Sequence, residues 1–413
     1  MSKILKKHVI EGVDVLQAAR ERFAELYRRF DKVVVSFSGG KDSTVCLNLA
    51  IEAATAAGKL PVEAMFFDEE AIHPTTIDYM ERVRQRDDVR LHWYCAQIKH
   101  RNACSRTEPY WLCWDEEKRD RWCRPLPEGA LLDKDIPGFV KGMSMPEVVP
   151  LMFTSFPGTV AHVRGIRADE SLRRYRSVAF KAVDNWINGP VKTYWSKSKK
   201  TFEWSTGGNA FMTSPIYDWT TLDVWFAPQH FGWDYNTTYD LFDMAGMPPN
   251  SQRVCPPYGE EPLGGLWVYA KCFPELWHKM IGRVHGAATA GRYSRTELYG
   301  FGDMALPDGH SWRTYAMAQL DLYPPEVRVQ IEASLRQLLK RHREATSRPM
   351  PEEQPDVKTG MSWKYMAMLV NRGDLKARRA GNATSKATQQ QQKLGVGFDD
   401  VAGDDAAEDG TRY

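Results

Sequence analysis

Long apolar runs are missing from this sequence of 413 residues. No window reaches the roughly 18 consecutive apolar residues that a membrane-spanning helix needs, and residues 1–8 lack the apolar centre of a secretory signal. Cysteine is scarce as well: the seven residues are odd in number and unevenly spaced, which does not suit a disulfide framework. These absences predict a cytoplasmic protein that makes no use of a membrane.

An excess of charge of either sign is also missing. The chain has 55 Lys and Arg residues against 53 Asp and Glu residues, a formal net charge of +2. A balanced charge gives no electrostatic argument for a protein that coats nucleic acid, and no recognised DNA-binding pattern is present. The sequence therefore does not support direct DNA binding.

Cysteine pairs of the C-x-x-C type are absent too. Cys95, Cys104, Cys113 and Cys123 fall in one Trp-rich stretch, but none has the spacing that zinc and iron–sulfur sites usually show. The alternative is that they are buried thiols among the tryptophans, since free cysteine commonly behaves as a small hydrophobe. We favour that alternative and expect no iron–sulfur cluster.

The segment Val33–Thr44 carries the strongest signal in the chain. A β-branched apolar run leads into Ser38-Gly39-Gly40-Lys41-Asp42-Ser43 and then into a helical pattern. The two glycines let consecutive N–H groups converge on an anion, and the helix N-terminus adds its dipole. The residues expected to bind phosphate groups are Ser36, Ser38, Gly39, Gly40, Lys41, Asp42, Ser43 and Thr44, of which Asp42 could also hold Mg²⁺.

Strands and helices alternate around this loop. The pattern predicts helices over about 13–30, 43–57 and 75–86, and strands over 61–67, 89–94 and 159–163. Short loops between them indicate an α/β fold with a doubly wound parallel sheet, whose ligands bind at the carboxyl ends of the strands. We call residues 38–43 the Gly-Gly loop. Phe67 and Asp68 end the second strand and so would share that edge of the sheet with the Gly-Gly loop.

An arginine-rich block follows the predicted strand at 159–163. It includes Arg164, Arg167, Arg173 and Arg174, together with Gly165 and Glu170. Most charge runs are solvated helix faces. A cluster directly after a core strand, however, faces the same edge as the Gly-Gly loop, so we expect it to bind a phosphate or sulfate.

The remaining chain divides by composition. We expect an N-terminal helix (1–30), a nucleotide-binding domain (31–240) with a Trp/Cys-rich insertion at about 97–157, a mostly helical extension (241–372) and a disordered, acidic-ended tail (373–413). Within these, residues 181–210 read as a polar loop or hairpin, and Thr220 with Asp223 as a capping box. Further helices are expected over 236–245, 263–284, 324–343 and 361–370.

Four separated segments together resemble one known family. The loop at 36–44, the segments 67–76 and 165–171, and the segment 215–225 are similar to the phosphoadenosine phosphosulfate (PAPS) reductase family, within the PP-loop N-type ATP pyrophosphatase superfamily. A plain Gly-Gly turn before a helix is the alternative, which six consecutive matching residues disfavour. The resemblance implies a fold of the adenine nucleotide alpha hydrolase-like (HUP) type.

A softer resemblance extends over residues 1–372. The segments 111–115, 263–267, 282–286 and 299–300 look like the branch that contains the prophage immunoglobulin-binding regulator A proteins, often described as co-activators. This resemblance implies a regulatory or modification complex with a protein partner.

The PAPS reductase resemblance also implies roles for individual residues. The loop would hold the phosphates of an adenine nucleotide, with Lys41 and Asp42 catalytic and Mg²⁺ held by Asp42 through the phosphates. Phe67 and Asp68 would lie by the adenosine. The anionic end of the ligand or its acceptor would meet Arg164, Gly165, Arg167, Glu170, Arg173 and Arg174.

Three functions remain open at this stage. The first is cleavage of Mg²⁺-bound ATP between the α and β phosphates, which adenylylates an unknown acceptor. This reaction would belong to sulfur metabolism or to nucleic-acid sulfur modification. The second is PAPS reduction; because the reductases' Glu-Cys-Gly segment is absent, Cys255 or Cys272 would have to supply the thiol. The third is a non-catalytic co-activator of the prophage type.

Overall fold

The structure is a computed structural model, and it describes residues 13–171, 174, 175, 178, 186–196, 201–206, 208–259, 262–293 and 306–371. The chain forms two compact units, residues 1–304 and 305–413. Arg173 and the acidic tail from 373 lie outside the described residues, as do residues 1–12. Among the described residues, no helix has both the length and the apolar character needed to cross a membrane.

The first unit is built on a seven-stranded sheet. The strands of this unit, including a separate two-stranded sheet of β4 and β5, are β1 (Lys32–Ser36), β2 (Val62–Phe67), β3 (Val89–Tyr94), β4 (Lys99–Arg101), β5 (Tyr110–Leu112), β6 (Val160–Val163), β7 (Ile187–Ser196), β8 (Thr201–Thr206) and β9 (Ala210–Thr213). The large sheet has the order β3-β2-β1-β6-β9-β7-β8. Its first five strands are parallel, and the β7–β8 hairpin adds two antiparallel strands at one edge.

One set of helices packs around this sheet, and a second set forms the second unit. Those of the first unit are α1 (Val15–Arg29), α2 (Lys41–Ala57), α3 (Pro74–Arg84), α4 (Met145–Met152), α5 (Thr221–Phe231), α6 (Thr238–Met244), α7 (Leu266–Cys272), α8 (Pro274–Ile281) and α9 (Ala287–Tyr293). The second unit contains α10 (Trp312–Leu320), α11 (Pro325–Ala345) and α12 (Trp363–Asn371). Within it, α11, expected over 324–343, buries one face through Val327, Ile331, Leu335 and Leu338, as an amphipathic helix does.

The order of the parallel strands places the Gly-Gly loop at a switch point. The chain runs outward from β1 through β2 to β3, and then returns to the other side of β1 to form β6 and β9. The loops after β1 and β6 therefore leave the sheet side by side in opposite directions, which opens a crevice between them. Val33, Val34 and Val35 of β1 are all buried, as a central parallel strand covered on both faces requires.

Most predicted elements are confirmed, and one is wrong in detail. The capping box of Thr220 and Asp223 opens α5, Pro74 opens α3, and the predicted hairpin is β7 and β8. The single helix expected over 263–284 is instead broken into α7 and α8. Phe273 breaks it, with ψ of 62°, because the residue before a proline is disfavoured in the helical region.

The four cysteines of the insertion are buried, as the sequence predicted. Burial raises the pKa of Cys104 and of Cys123 to about 12. These thiols therefore stay protonated at neutral pH and are poor nucleophiles. Within the described ranges, no group of three or more His, Cys, Asp or Glu residues could hold a metal ion.

The end of β2 ties three distant parts of the first unit together. Glu70 has a side chain that is 0% exposed, and it accepts two hydrogen bonds from Arg283, at 3.0 and 2.6 Å. It also accepts the backbone N–H of Trp114 at 2.7 Å. Asp68 accepts Trp93 Nε1–H at 2.8 Å and pairs with Arg124. We call residues 68–70 the acidic corner; it joins the insertion and the segment around α8 to the sheet.

Removing the charge of Glu70 tests this role. In Glu70→Gln, Arg283 would remain buried without its counter-ion, and loss of one partner of a buried pair costs about 3–5 kcal/mol. We expect that loss in urea denaturation read by hydrogen exchange of peptides from residues 62–123. Glu52→Gln, which removes an exposed pair with Arg20, is the control and should cost about 1 kcal/mol or less. Equal effects of the two variants would contradict a central role for the acidic corner.

Candidate active site

The Gly-Gly loop forms the N-terminal end of α2. Gly40 is the N-cap residue, so the N-cap position has no side chain that could cap the helix. Ser43 Oγ donates to the Gly40 carbonyl at 2.9 Å, and Ser38 Oγ accepts the Gly40 N–H at 3.3 Å. The hydroxyl groups of Ser38 and Ser43 therefore hold the backbone of the loop. The N-terminus of α2, a helix of 17 residues, offers its dipole and the N–H groups of its first turn to an anion.

Neighbouring helices fix the shape of this loop. Gly39 has φ of +68°, and a Cβ there would lie 2.6 Å from Met80 Cε. The Gly39 carbonyl accepts Asn236 Nδ2–H at 3.0 Å, and Tyr239 Oη accepts the Lys41 N–H at 3.0 Å. Because Asn236 and Tyr239 come from the chain around α6, the far end of the predicted nucleotide-binding domain holds the loop in place.

Arg167 connects this loop to the one that follows β6. Its side chain is 2% exposed; Nε donates to Asp42 Oδ1, and Nη1 lies 2.5 Å from Asp169 Oδ1. Gly165 makes the approach possible, since a Cβ there would lie 2.9 Å from the Cβ of Asp42. The structure thus places Arg167, predicted at the anionic end of the ligand, as a buried link between the two loops.

Arg164 and His162 line the crevice on the β6 side. Arg164 Nη2 lies 3.4 Å from Ser214 Oγ, while Arg164 Nε and His162 Nε2 are buried and have no hydrogen-bond partner in the described part of the chain. Burial, and then the charge of Arg174, lower the pKa of Arg164 to about 10. The guanidinium therefore remains charged at neutral pH, and a buried cation of this kind favours a bound anion.

The Gly-Gly loop and the residues that follow β6 line a cavity of about 430 Å³, a volume within the range of small-molecule sites. Of the predicted residues, its lining includes Ser36, Ser38, Gly40, Lys41, Asp42, Ser43, Phe67, Arg164, Gly165, Glu170 and Arg174. Gly39, Thr44, Asp68 and Arg167 are described but do not line it. Asp68 belongs to the acidic corner, and Thr44 Oγ1 lies 3.1 Å from Tyr79 Oη in the interior.

Several further lining residues were not singled out from the sequence, and four of them have side chains that could bind or position a ligand. They are His162, Glu69, Tyr239 and Arg253. Glu69 directly follows Asp68, so its place on the same edge could have been inferred. Arg253 comes from the segment after α6, about 200 residues from the Gly-Gly loop in sequence; no motif in that segment signals a binding role.

Three carboxylates line the cavity, and two of them have cationic partners. Asp42 pairs with Arg167 through Oδ1, and its Oδ2 lies 3.6 Å from Lys41 Nζ; Glu170 pairs with Arg174. Asp42 Oδ2 is therefore the oxygen best able to meet Mg²⁺ carried by phosphates, since such sites need only one or two protein carboxylates.

Glu69, the third carboxylate, has a histidine beside it. Its side chain is 19% exposed, and Oε1 lies 3.5 Å from His100 Nδ1. Burial, and then the charge of Asp68, raise the pKa of Glu69 to about 8. Burial also lowers the pKa of His100 to about 4. At pH 7 the pair is therefore a protonated acid beside a neutral imidazole.

This pair predicts a specific pH dependence of stability. Above pH 6.5 histidines are mostly neutral in both states, but Glu69 still holds a proton only when the chain is folded. Folding stability should therefore fall as pH rises from 6.5 to 8, relative to Glu69→Gln, by up to about 1.4 kcal/mol per pH unit. The difference in melting temperature between wild type and Glu69→Gln measures it. A difference that does not change with pH would contradict the raised pKa.

Comparison with known proteins gives two family matches. The model of the phosphoadenosine phosphosulfate reductase domain matches residues 32–241, and a domain of unknown function (DUF3440) matches residues 246–347. The first covers half of the chain and spans β1 to α6, including the Gly-Gly loop and the arginine block.

Two curated relatives are similar over most of the chain. The Escherichia coli (strain K12) uncharacterized protein YbdN is 32% identical over 327 residues, covering 76% of each chain. The Methanocaldococcus jannaschii uncharacterized protein MJ0066 is 26% identical over 286 residues, covering 65% of this chain and 47% of its own length.

Solved structures that align with part of this chain include the following two. Phosphoadenylyl-sulfate (PAPS) reductase from Candida auris, in a phosphate complex, aligns with a TM-score of 0.32 and 16% identity, over 58% of this chain and 92% of its own. Candida glabrata FMN adenylyltransferase aligns with a TM-score of 0.32 and 14% identity, over 57% of this chain and 63% of its own.

Proposed function

The chain belongs to the phosphoadenosine phosphosulfate reductase family, and from this premise we propose that it binds ATP with Mg²⁺ and cleaves it between the α and β phosphates. An acceptor is adenylylated and pyrophosphate leaves. One observation carries the proposal: Lys41 and Asp42 of the Gly-Gly loop line a cavity of about 430 Å³ at the helix N-terminus. A phosphate chain is the ligand that such a loop suits best.

The reaction follows from where charge develops. An oxygen of the acceptor attacks the α phosphorus, the bond from that phosphorus to the α–β bridging oxygen breaks, and the electron pair stays with pyrophosphate. The N–H groups at the start of α2 and the ammonium of Lys41 stabilise that growing charge. Asp42 would hold Mg²⁺, which neutralises charge on the phosphates.

The opposite wall of the cavity suits the acceptor. Arg164 supplies a buried cation, and within the described residues neither its Nε nor the Nε2 of the neighbouring His162 has a hydrogen-bond partner. An acceptor with an anionic group, such as an oxyanion or a carboxylate, would satisfy both. Positioning of this kind supplies a large part of the rate in phosphoryl-type transfer. We place the reaction in the cytoplasm, in sulfur metabolism or nucleic-acid sulfur modification.

Asp42→Asn tests the proposal against a matched control. Asp169→Asn also removes a partner of Arg167, but Asp169 does not line the cavity. With Mg²⁺ and ATP, and water as the acceptor, wild type and Asp169→Asn should form AMP and pyrophosphate. Asp42→Asn should be slower by about 10²-fold or more, the usual effect of losing one electrostatic group.

The binding step is measured separately by calorimetry with Mg²⁺ and ATP. Binding by the wild type without any AMP would point to a missing acceptor and leave the nucleotide site intact. Two results would contradict the proposal: ADP and phosphate as products, or equal rates for Asp42→Asn and Asp169→Asn.

A second candidate function is PAPS reduction, which the position of Cys255 favours. This exposed cysteine lines the cavity, whereas Cys272 does not. Its thiolate would attack the sulfonate sulfur, forming an S–S bond as adenosine 3′,5′-bisphosphate leaves, and an external dithiol would then release sulfite. Sulfite formed from PAPS and dithiothreitol by the wild type but not by Cys255→Ser would support it; unchanged formation would exclude Cys255.

A further inference from the structure

A loop outside the PAPS reductase domain forms one wall of the cavity. We call residues 252–255 the extension loop; it lies in the segment matched by the domain of unknown function. A Cβ placed on Gly40 would lie 3.7 Å from Val254 Cγ2 and 3.5 Å from Tyr239 Oη. The extension loop is therefore next to the backbone that begins α2, on the phosphate side of the cavity.

The backbone of the extension loop is fixed from both sides. Val254 is 7% exposed and Gln252 is 3% exposed. The Val254 carbonyl lies 3.2 Å from His73 Nδ1, which donates to it, and Gln252 Nε2 donates to the Met247 carbonyl at 2.9 Å. The alternate residues, Arg253 and Cys255, are exposed and line the cavity. The loop thus presents Arg253 between two buried, hydrogen-bonded residues.

Arg253 differs from the other cations of the cavity. Lys41 lies 3.6 Å from Asp42, and Arg174 pairs with Glu170. Arg164 is buried on the β6 side. Across the described ranges, by contrast, no carboxylate lies within ion-pair distance of Arg253. An exposed guanidinium without a counter-ion, held beside a phosphate-binding helix N-terminus, is suited to a bidentate contact with phosphate oxygens.

We propose that Arg253 binds the β and γ phosphates of the nucleotide that sits on the Gly-Gly loop. This inference rests on the proposed function and extends it, because it makes the extension loop part of the nucleotide site. Arg253 then shares with Lys41 the charge of the departing pyrophosphate. It also sets specificity by phosphate number, since a nucleotide with only an α phosphate leaves Arg253 without a ligand.

Calorimetry of Arg253→Gln with two nucleotides tests the proposal. Glutamine keeps much of the side-chain length but removes the charge. Loss of one charge-assisted contact should weaken the binding of Mg²⁺-bound ATP by roughly 10- to 100-fold. Binding of AMP should change by about twofold or less, because AMP does not reach Arg253. Arg253→Lys should recover part of the ATP affinity.

Arg292→Gln is the matched control. Arg292 is an exposed arginine of α9 that stacks on Tyr293 and does not line the cavity. The Arg292→Gln variant should bind both nucleotides with the affinity of the wild type. The melting temperature without nucleotide should be the same for both Gln variants, which separates a binding effect from a folding effect.

The outcomes distinguish the two proposals. If wild type binds ATP and Arg253→Gln binds it equally well, the role of Arg253 is overturned while the nucleotide site stands. If Arg253→Gln weakens the binding of ATP and of AMP by the same factor, the extension loop shapes the cavity but Arg253 does not bind the β and γ phosphates. That result also overturns the proposed role of Arg253. If the wild type binds no ATP, both proposals fail.

Discussion

The ion pair between Asp42 and Arg167 is the interaction on which the candidate site depends. It joins the loops that follow β1 and β6, the two strands between which the chain reverses direction across the sheet. Arg167 is 2% exposed and Asp42 is 17% exposed, so the guanidinium is shielded from most water while the carboxylate reaches the cavity. Gly165 lets the loops approach, and Asp169 holds the other side of the guanidinium. With one carboxylate oxygen committed in this way, Asp42 has its other oxygen, Oδ2, 3.6 Å from Lys41 Nζ.

The acidic corner extends this site beyond the sheet. Glu70 fixes Arg283 and the backbone of Trp114, and Asp68 fixes Arg124. Through these contacts the insertion and the segment up to α9 pack onto the end of β2. His73, a few residues further along the chain, holds Val254. The same stretch that ends β2 therefore builds the wall that carries Arg253, which explains why one cavity is lined by residues from opposite ends of the first unit.

Local sequence signals were enough for the elements, but not for the directions of the side chains. The β-branched run at 33–35, the glycine pair and the capping box of Thr220 act through backbone conformation over a few residues, so their structures could be predicted. Arg167 and Arg164 look equivalent in sequence, yet one is a buried link and the other lines the cavity, because that choice depends on which loop packs against them. The carboxylate of Asp68 likewise accepts a hydrogen bond from Trp93 and pairs with Arg124, so it does not line the cavity. Arg253 could not be found at all, since only the folded chain brings residues 252–255 beside Gly40.

The central claim is that the Gly-Gly loop and Arg253 together hold the phosphates of an adenine nucleotide. The most direct test is a crystal structure with an ATP analogue in which a methylene group replaces the α–β bridging oxygen. We expect the β and γ phosphates on the N–H groups at the start of α2, with the Arg253 guanidinium on their outer oxygens and the α phosphate facing Arg164. Phosphates seated instead between Arg164 and Arg174, away from Gly40 and Lys41, would contradict the account.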